Sequence, residues 1–314
     1  MRNRFILPFS IQESKLKIGF NDQIVLIGSC FSTAICSHFV QAGFRATNNH
    51  FGTAYNPLSI ANQILKSIDL NSEKHIFHAE GKYLDWESAS SLVGHSAEEL
   101  SDKIDAMRQE LKAKIATSSF LFITFGSAHA YKLVNNSIVV ANCHKQPAHL
   151  FTKELLSLSV LKTTWMDTIE KIKFINPTIN ICFTISPVRH IKDGIIENNR
   201  SKARLFELVT YLQENEKGSY FPSFEIVMDE LRDYRFFKID RIHPNDEAIA
   251  YIWERFGAVY FSGATIEMIA KIDSVRKAEQ HILIDPESQE SRNHLEETKR
   301  RKSELSILEP SINW

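Results

Sequence analysis

Cysteine is scarce in this sequence. Its 314 residues contain four, Cys30, Cys36, Cys143 and Cys182, in no CxxC or zinc-knuckle spacing. That excludes a disulfide-built secreted scaffold, and Cys30 and Cys36 would lie too far along one helix to bridge easily. An excess of one charge is also missing. Lys and Arg number 37 against 38 Asp and Glu, a formal net charge of -1, which gives no electrostatic case for nucleic acid or an anionic membrane as the main partner. No apolar run approaches the roughly 20 residues of a membrane span. The leading MRNRFILPFSIQESKLK is basic, but its short apolar patch is interrupted by Pro8 and lacks the core and cleavage site of a signal peptide. Internal repeats and low-complexity tracts are absent too. The expectation is a cytoplasmic protein with one large domain, or a domain plus an appendage.

What is present is concentrated first in Gln23-Ile24-Val25-Leu26-Ile27-Gly28-Ser29-Cys30-Phe31-Ser32. Four apolar residues in a row read as a buried central strand, and Phe31 to Val40 as a helix. Ser29 and Cys30 then sit at the carboxyl end of a strand and the amino end of a helix, where open α/β sheets bind ligands. Unpaired N–H groups and the helix dipole there favour a thiolate or an oxyanion. The plainer alternative makes Ser29 an N-cap and Cys30 a small buried residue.

Further along, strands are expected at Phe44–His50, Ser119–Phe125, Thr178–Ser186 and Phe224–Met228, with hairpins at His75–Trp86 and Lys132–Ala141. Helices are expected at Pro57–Lys66, Ser96–Ala116, Lys153–Lys173, Ser201–Glu216 and from Asn245 to Phe256. The alternation predicts a three-layer α/β/α domain with a mostly parallel sheet over residues 1–262. Ala264–Ile282 and Pro286–Leu308 are helical and highly charged, and predict a solvated helical appendage over 263–314.

The second informative stretch is Asp240-x-x-His243. A carboxylate three residues before a histidine in a tight turn can hold the ring's Nδ1–H and aim the Nε2 lone pair outward. That is the orienter and base of a hydrolytic triad. The motif precedes the last helix of the α/β domain, and Ser29-Cys30 follows the first strand. Parallel sheets bring such loops to one edge.

Together these stretches resemble the GSCFA domain family, whose name is read here as Gly28-Ser29-Cys30-Phe31-Ser32 with only the last letter changed. The same resemblance extends through Phe51-Gly52-Thr53-Ala54-Tyr55-Asn56-Pro57, Ala141-Asn142-Cys143-His144-Lys145, Ser186-Pro187-Val188-Arg189-His190, Asp233-Tyr234-Arg235-Phe236 and Asp240 to Pro244, within residues 20 to 260. That family is grouped with the SGNH (GDSL-like) hydrolases. The resemblance therefore implies a flavodoxin-like fold and an esterase or acyltransferase acting on a small-molecule or glycan acyl ester, with no metal or organic cofactor. In the related hydrolases Gly-Asp-Ser follows the first strand. Aligned without gaps, Cys30 takes the place of the nucleophile; one residue of slip restores Ser29, and both remain open. Gly52 matches the loop glycine whose N–H enters the oxyanion hole. The asparagine that normally follows falls on Ala128, so either Ser127, His129 or Asn142 replaces it or the site is a slow or altered catalyst. One missing donor typically costs about 2.7–4 kcal/mol of transition-state stabilisation.

Two other function classes compete: a binding protein that kept the fold without the chemistry, and a zinc hydrolase using His129, His144 and His190. The histidines, with His149, follow no HExxH or comparable spacing. Arg189 could bind an anionic substrate group bidentately or make a salt bridge. Asp233 and Arg235 are expected to brace the Asp240–His243 loop, and Tyr55 and Trp86 to pack.

Overall fold

The computed structural model describes residues 6–282, 285 and 288–314. In chain order its elements are β1 (Gln23–Gly28), α1 (Cys30–Gln41), β2 (Arg45–Asn48), α2 (Pro57–Ile68), β3 (Ile76–Ala79), β4 (Lys82–Asp85), α3 (Ala97–Thr117) and β5 (Phe120–Phe125). There follow β6 (His129–Leu133), β7 (Val139–Val140), β8 (Phe151–Leu155), α4 (Leu158–Ile175), β9 (Asn180–Ile185), α5 (Ile195–Glu214), β10 (Ser219–Tyr220), the single turn α6 (Ser223–Glu225), α7 (Asp246–Tyr260), α8 (Gly263–Glu279) and α9 (Gln289–Leu308).

The main sheet has the order β2-β1-β5-β9-β10, and all its pairings are parallel. This is a doubly wound order with the first strand next to the third. Successive side chains along a strand point to opposite faces, and that period sorts the core into two layers. Val25, Ile27, Leu121, Ile123, Ile181 and Phe183 pack under α2, α3, α4 and α5. Ile24, Leu26, Phe120, Phe122 and Cys182 face α1 and α7. Because both faces are covered, the central strands read as continuous apolar runs rather than alternating ones. The result is the expected three-layer α/β/α architecture.

Both expected hairpins are present. β3 and β4 pair antiparallel around Glu80 and Gly81, both at positive φ, the backbone of a two-residue hairpin turn. β6 pairs with β7, and β8 adds to the other edge of β6. The helix expected from Lys153 therefore starts only at Leu158, with Ser157 accepting from the Val160 N–H. The strand expected at Phe224–Met228 is instead α6 and a wide helical turn over Ile226–Leu231. The Ser223 hydroxyl donates to the Ile185 carbonyl and meets Thr184 Oγ1, and these bonds turn the chain in over the end of β9. Pairing with β9 falls to the short β10.

The expected start of the last helix at Pro286 lies outside the described residues; α9 is observed from Gln289. α8 and α9 are charged on the outside, yet Ile272, Val275, Leu305 and Ile312 are buried in the same apolar layer as Phe20, Phe39 and Phe44. Among the described residues no helix is long and apolar enough to cross a membrane.

Candidate active site

β1 closes on β5 with no room to spare. At Gly28, φ is +141°, and a Cβ there would stand 2.1 Å from the Thr124 carbonyl oxygen. Its N–H donates to Asn49 Oδ1 at 2.7 Å, and the next N–H, of Ser29, donates to Thr124 O at 3.2 Å. The chain then enters α1 at Cys30. Ser29 occupies the cap position but makes no side-chain cap bond. Its hydroxyl is fully buried and without a partner among the described residues. The backbone at Phe31 and Cys30 favours negative charge on the Cys30 sulfur. Burial raises the Cys30 thiol above its ordinary range, while that backbone and the nearby Lys202 and Lys238 oppose the rise.

The Asp240–His243 turn has the expected geometry. His243 Nδ1 and Asp240 Oδ2 lie 2.7 Å apart, and Asp240 Oδ1 accepts from the N–H groups of Ile242 at 2.8 Å and His243 at 3.1 Å. These bonds, the Ile242 N–H foremost, pull the Asp240 carboxyl down to about 2. An ionised carboxylate on Nδ1 fixes the tautomer that leaves Nε2 as acceptor. Arg241 supplies the turn with φ 60°, and Lys238 N–H donates to His243 O at 2.7 Å.

Among the described residues Arg189 makes no salt bridge, and it lines one of the two clefts on this edge of the sheet. Its guanidinium donates to the Arg241 carbonyl at 3.0 Å and lies over the Phe237 ring at 4.4 Å, holding the turn from the side. Asp233 accepts from the Arg235 N–H and also pairs with its side chain, and Asn245 Nδ2 donates to Arg235 O. Those residues brace the segment that carries the histidine.

Two clefts meet on this edge of the sheet. One, of about 420 Å³, runs between α1 and α7 past Phe31, Ala34 and Ile249. The other, of about 510 Å³, is lined by Tyr55, Asn142, Cys143, His190 and Asn198 among others. Cys30, Val188 and His243 belong to both walls. Cys30 and His243 therefore both line the junction of the two clefts, and Ser29 lines neither.

The remaining candidates divide. Gly52 lines neither cleft, and its N–H closes a turn onto Asn49 O at 2.7 Å, so it is not a free oxyanion donor in this structure. The glycine is required for another reason: φ is +79° and a Cβ would meet Ala89 Cβ at 2.2 Å. Ser127 lines the second cleft, but its Oγ is shared with Ser201 Oγ and the His129 N–H, and its own N–H goes to Tyr55 O. His129 lies in the same wall, 3.6 Å from Glu197, with its proton affinity lowered by burial. Asn142 is better placed. Its Oδ1 accepts from the His144 N–H, and its side-chain NH₂ makes no bond to the described residues while the residue lines the second cleft. Ala128 is fully buried, its N–H bonded to Ser201 Oγ.

The histidines do not converge as a metal site. His144 packs beside Phe77 and Trp86 with Nε2 against the Asp85 carbonyl at 2.8 Å, and His149 is exposed. Among the described residues no three His, Cys, Asp or Glu side chains form a metal-holding group. Trp86 stacks on Phe77, and Tyr55 meets the His190 ring edge-on.

Two residues matter here for reasons the sequence reading does not supply: His190, which it weighs only as a zinc ligand, and Lys202, which it leaves aside. His190 is pushed down to about 4, by burial first and then by the neighbouring Lys202 and His243, and among the described residues its buried Nε2 has no partner. Lys202 is 3% exposed in α5, its Nζ donating to Gly126 O at 2.7 Å and Ser186 O at 2.6 Å. The signal was present in the helical spacing. Lys202 shares the buried stripe of Leu205, Val209 and Leu212, a position where a lysine needs a reason.

The GSCFA family matches residues 23–256. The chain belongs to the GSCFA family. The matched span runs from β1 into α7, so it contains the elbow, both clefts and the Asp240–His243 turn of this GSCFA chain, and leaves out α8 and α9. No curated protein matches the chain.

Proposed function

We propose that this chain is an ester hydrolase or acyltransferase of the SGNH type, with Cys30 as nucleophile, His243 as proton relay and Asp240 as its orienter. The observation that carries this reading is the junction itself: a cysteine at an uncapped helix N-terminus shares both cleft walls with a histidine whose other nitrogen is held by a carboxylate. The helix N–H groups favour the thiolate.

In the first step His243 Nε2 accepts the thiol proton and sulfur bonds to the acyl carbon. The tetrahedral oxyanion collapses as the C–O bond breaks, and His243 returns its proton to the leaving alcohol. In the second, His243 takes a proton from water, or from an acceptor hydroxyl. The new oxygen bonds to the acyl carbon, the C–S bond breaks and the thiol is restored. The N–H of Cys30 and the side-chain NH₂ of Asn142 are the oxyanion donors, the latter in place of the asparagine missing at Ala128. The substrate class is a small-molecule or glycan acyl ester.

Hydrolysis of p-nitrophenyl acetate by wild type, Cys30→Ala, Ser29→Ala and His243→Ala tests the reading. Loss with Cys30→Ala and His243→Ala and retention with Ser29→Ala is the expected pattern; activity unaffected by all three refutes it. A binding protein without catalysis is the second reading, favoured by the engaged Gly52 N–H and the apolar Ala128. Wild type inert to a broad ester panel, yet raised in Tm by acylated sugars, would support that instead.

A further inference from the structure

Lys202 is a buried cation without an anion. Its side chain enters from α5 beneath the sheet edge, and both of its hydrogen bonds go to neutral carbonyls, Gly126 O and Ser186 O. Among the described residues no carboxylate pairs with it, and its other near neighbour is the Phe224 ring at 5.7 Å. A buried ammonium is costly unless something compensates it. Two carbonyl dipoles do so in part, and burial still pushes Lys202 down to about 7.

The sheet register shows which anion is at hand. Gly28 lies beside Thr124 in the parallel pairing of β1 with β5. The pairing ends there, with the Ser29 N–H on the Thr124 carbonyl; Cys30 opens α1 and Gly126 follows β5 at this same carboxyl edge of the sheet, so the carbonyl that Lys202 grips lies on the edge that carries the elbow. Ser186 continues the adjacent β9, where Thr124 pairs with Thr184. Lys202 thus joins the carboxyl ends of the two strands flanking the site, with Cys30 as the nearby group that can become an anion. Other charged or titratable groups in the clefts that Cys30 lines include Lys238 and His243 from the loop before α7, Asp246 at the start of α7, His38 of α1, Tyr55 from the loop before α2 and His190 from the loop after β9.

We propose that Lys202 is a positioning residue for Cys30: its ammonium fixes the ends of β5 and β9 under the site and supplies the positive charge that the Cys30 thiolate requires. The coupling is reciprocal. Ionising the thiol draws a proton more firmly onto Lys202, and an uncharged side chain at 202 leaves the thiolate in a site that burial disfavours. The proposal uses the part of the function reading that makes Cys30 the reactive thiol, and needs no ester.

The test is therefore alkylation. Iodoacetamide is applied to wild type and Lys202→Met from pH 6 to 10, with modification at each cysteine followed by peptide mass spectrometry. Cys143, also in the second cleft and half-buried, is the internal control, since its charged neighbour is Lys192. In Lys202→Met the pH midpoint for Cys30 is expected to move up by about one unit, and its rate at pH 7.5 to fall about tenfold, with Cys143 unchanged. A purely structural role would alter both cysteines together or neither, and either result overturns the proposal. Should Lys202→Met not unfold cooperatively, ¹³Cε-lysine NMR on wild type and Cys30→Ala gives the reciprocal measurement. The buried lysine titrates at lower pH once the thiol is gone; an unchanged midpoint refutes the coupling. Ester hydrolysis absent from a protein that passes these tests would overturn the esterase reading alone.

Discussion

Gly28→Ala is the substitution whose cost can be worked most directly from the geometry. Three contributions add. Alanine at φ +141° carries about 1–3 kcal/mol of backbone strain. The new Cβ would stand 2.1 Å from the Thr124 oxygen and 2.8 Å from its carbon, and backbone atoms cannot rotate away as a side chain can. β1 must therefore retreat from β5, weakening the Ser29 N–H to Thr124 O bond and the Gly28 N–H to Asn49 Oδ1 bond, at about 0.5–1.5 kcal/mol each. The expected loss is about 2–6 kcal/mol, a large share of the 5–15 kcal/mol typical of a folded protein. Urea unfolding followed by fluorescence of the four tryptophans measures it. Gly81→Ala is the control, since φ there is +73° but nothing lies within 4 Å of the added Cβ; it should cost only about 1–2 kcal/mol. A Gly28→Ala loss no larger than that of Gly81→Ala would refute the argument that close backbone approach dictates this glycine.

Ser29→Ala removes a fully buried hydroxyl that has no partner among the described residues. It is expected to leave ester hydrolysis within about threefold and stability unchanged or up to about 1 kcal/mol higher, measured by urea unfolding beside the p-nitrophenyl assay. Arg189→Ala frees the turn from its bond to Arg241 O and its packing on Phe237; kcat should fall about tenfold or more with KM little changed, because the histidine loses its fixed position. Lys202 also predicts a pH dependence of stability. Its folded-state value of about 7 lies below the unfolded value of roughly 10.4, so between them the unfolded chain holds more protons. Its contribution makes stability rise with pH across that window, by at most about 1.4 kcal/mol per unit, and stay flat below it. Urea midpoints for wild type should therefore gain on those of Lys202→Met from pH 7 to 10; parallel curves would contradict the buried-cation assignment.

Much of this site and fold is local, and local features were legible in the sequence. Asp240 reaches His243 Nδ1 across one turn, and no distant residue is needed to form that bond. The caps Asn56, Ser96 and Asn245 announce α2, α3 and α7, since each accepts from an N–H three residues on. The continuous apolar runs at β1, β5 and β9 reveal a sheet covered on both faces. What the sequence could not decide was set by groups far away along the chain. Whether Ser29 or Cys30 reaches the clefts depends on the approach of Thr124, which fixes where β1 ends and α1 begins. Gly52 reads as an oxyanion glycine until the turn to Asn49 and the contact with Ala89 are seen. The apolar stretch at 224–228 has strand composition, but the bonds of Ser223 to β9 turn it into a helical segment. Lys202 lies 76 residues from the Gly126 carbonyl it holds. The sequence alone determined the strand-to-helix elbow and the oriented histidine. Tertiary structure decided which of the two neighbours lines the clefts with that histidine, because only strand register and side-chain burial distinguish two neighbours in a turn.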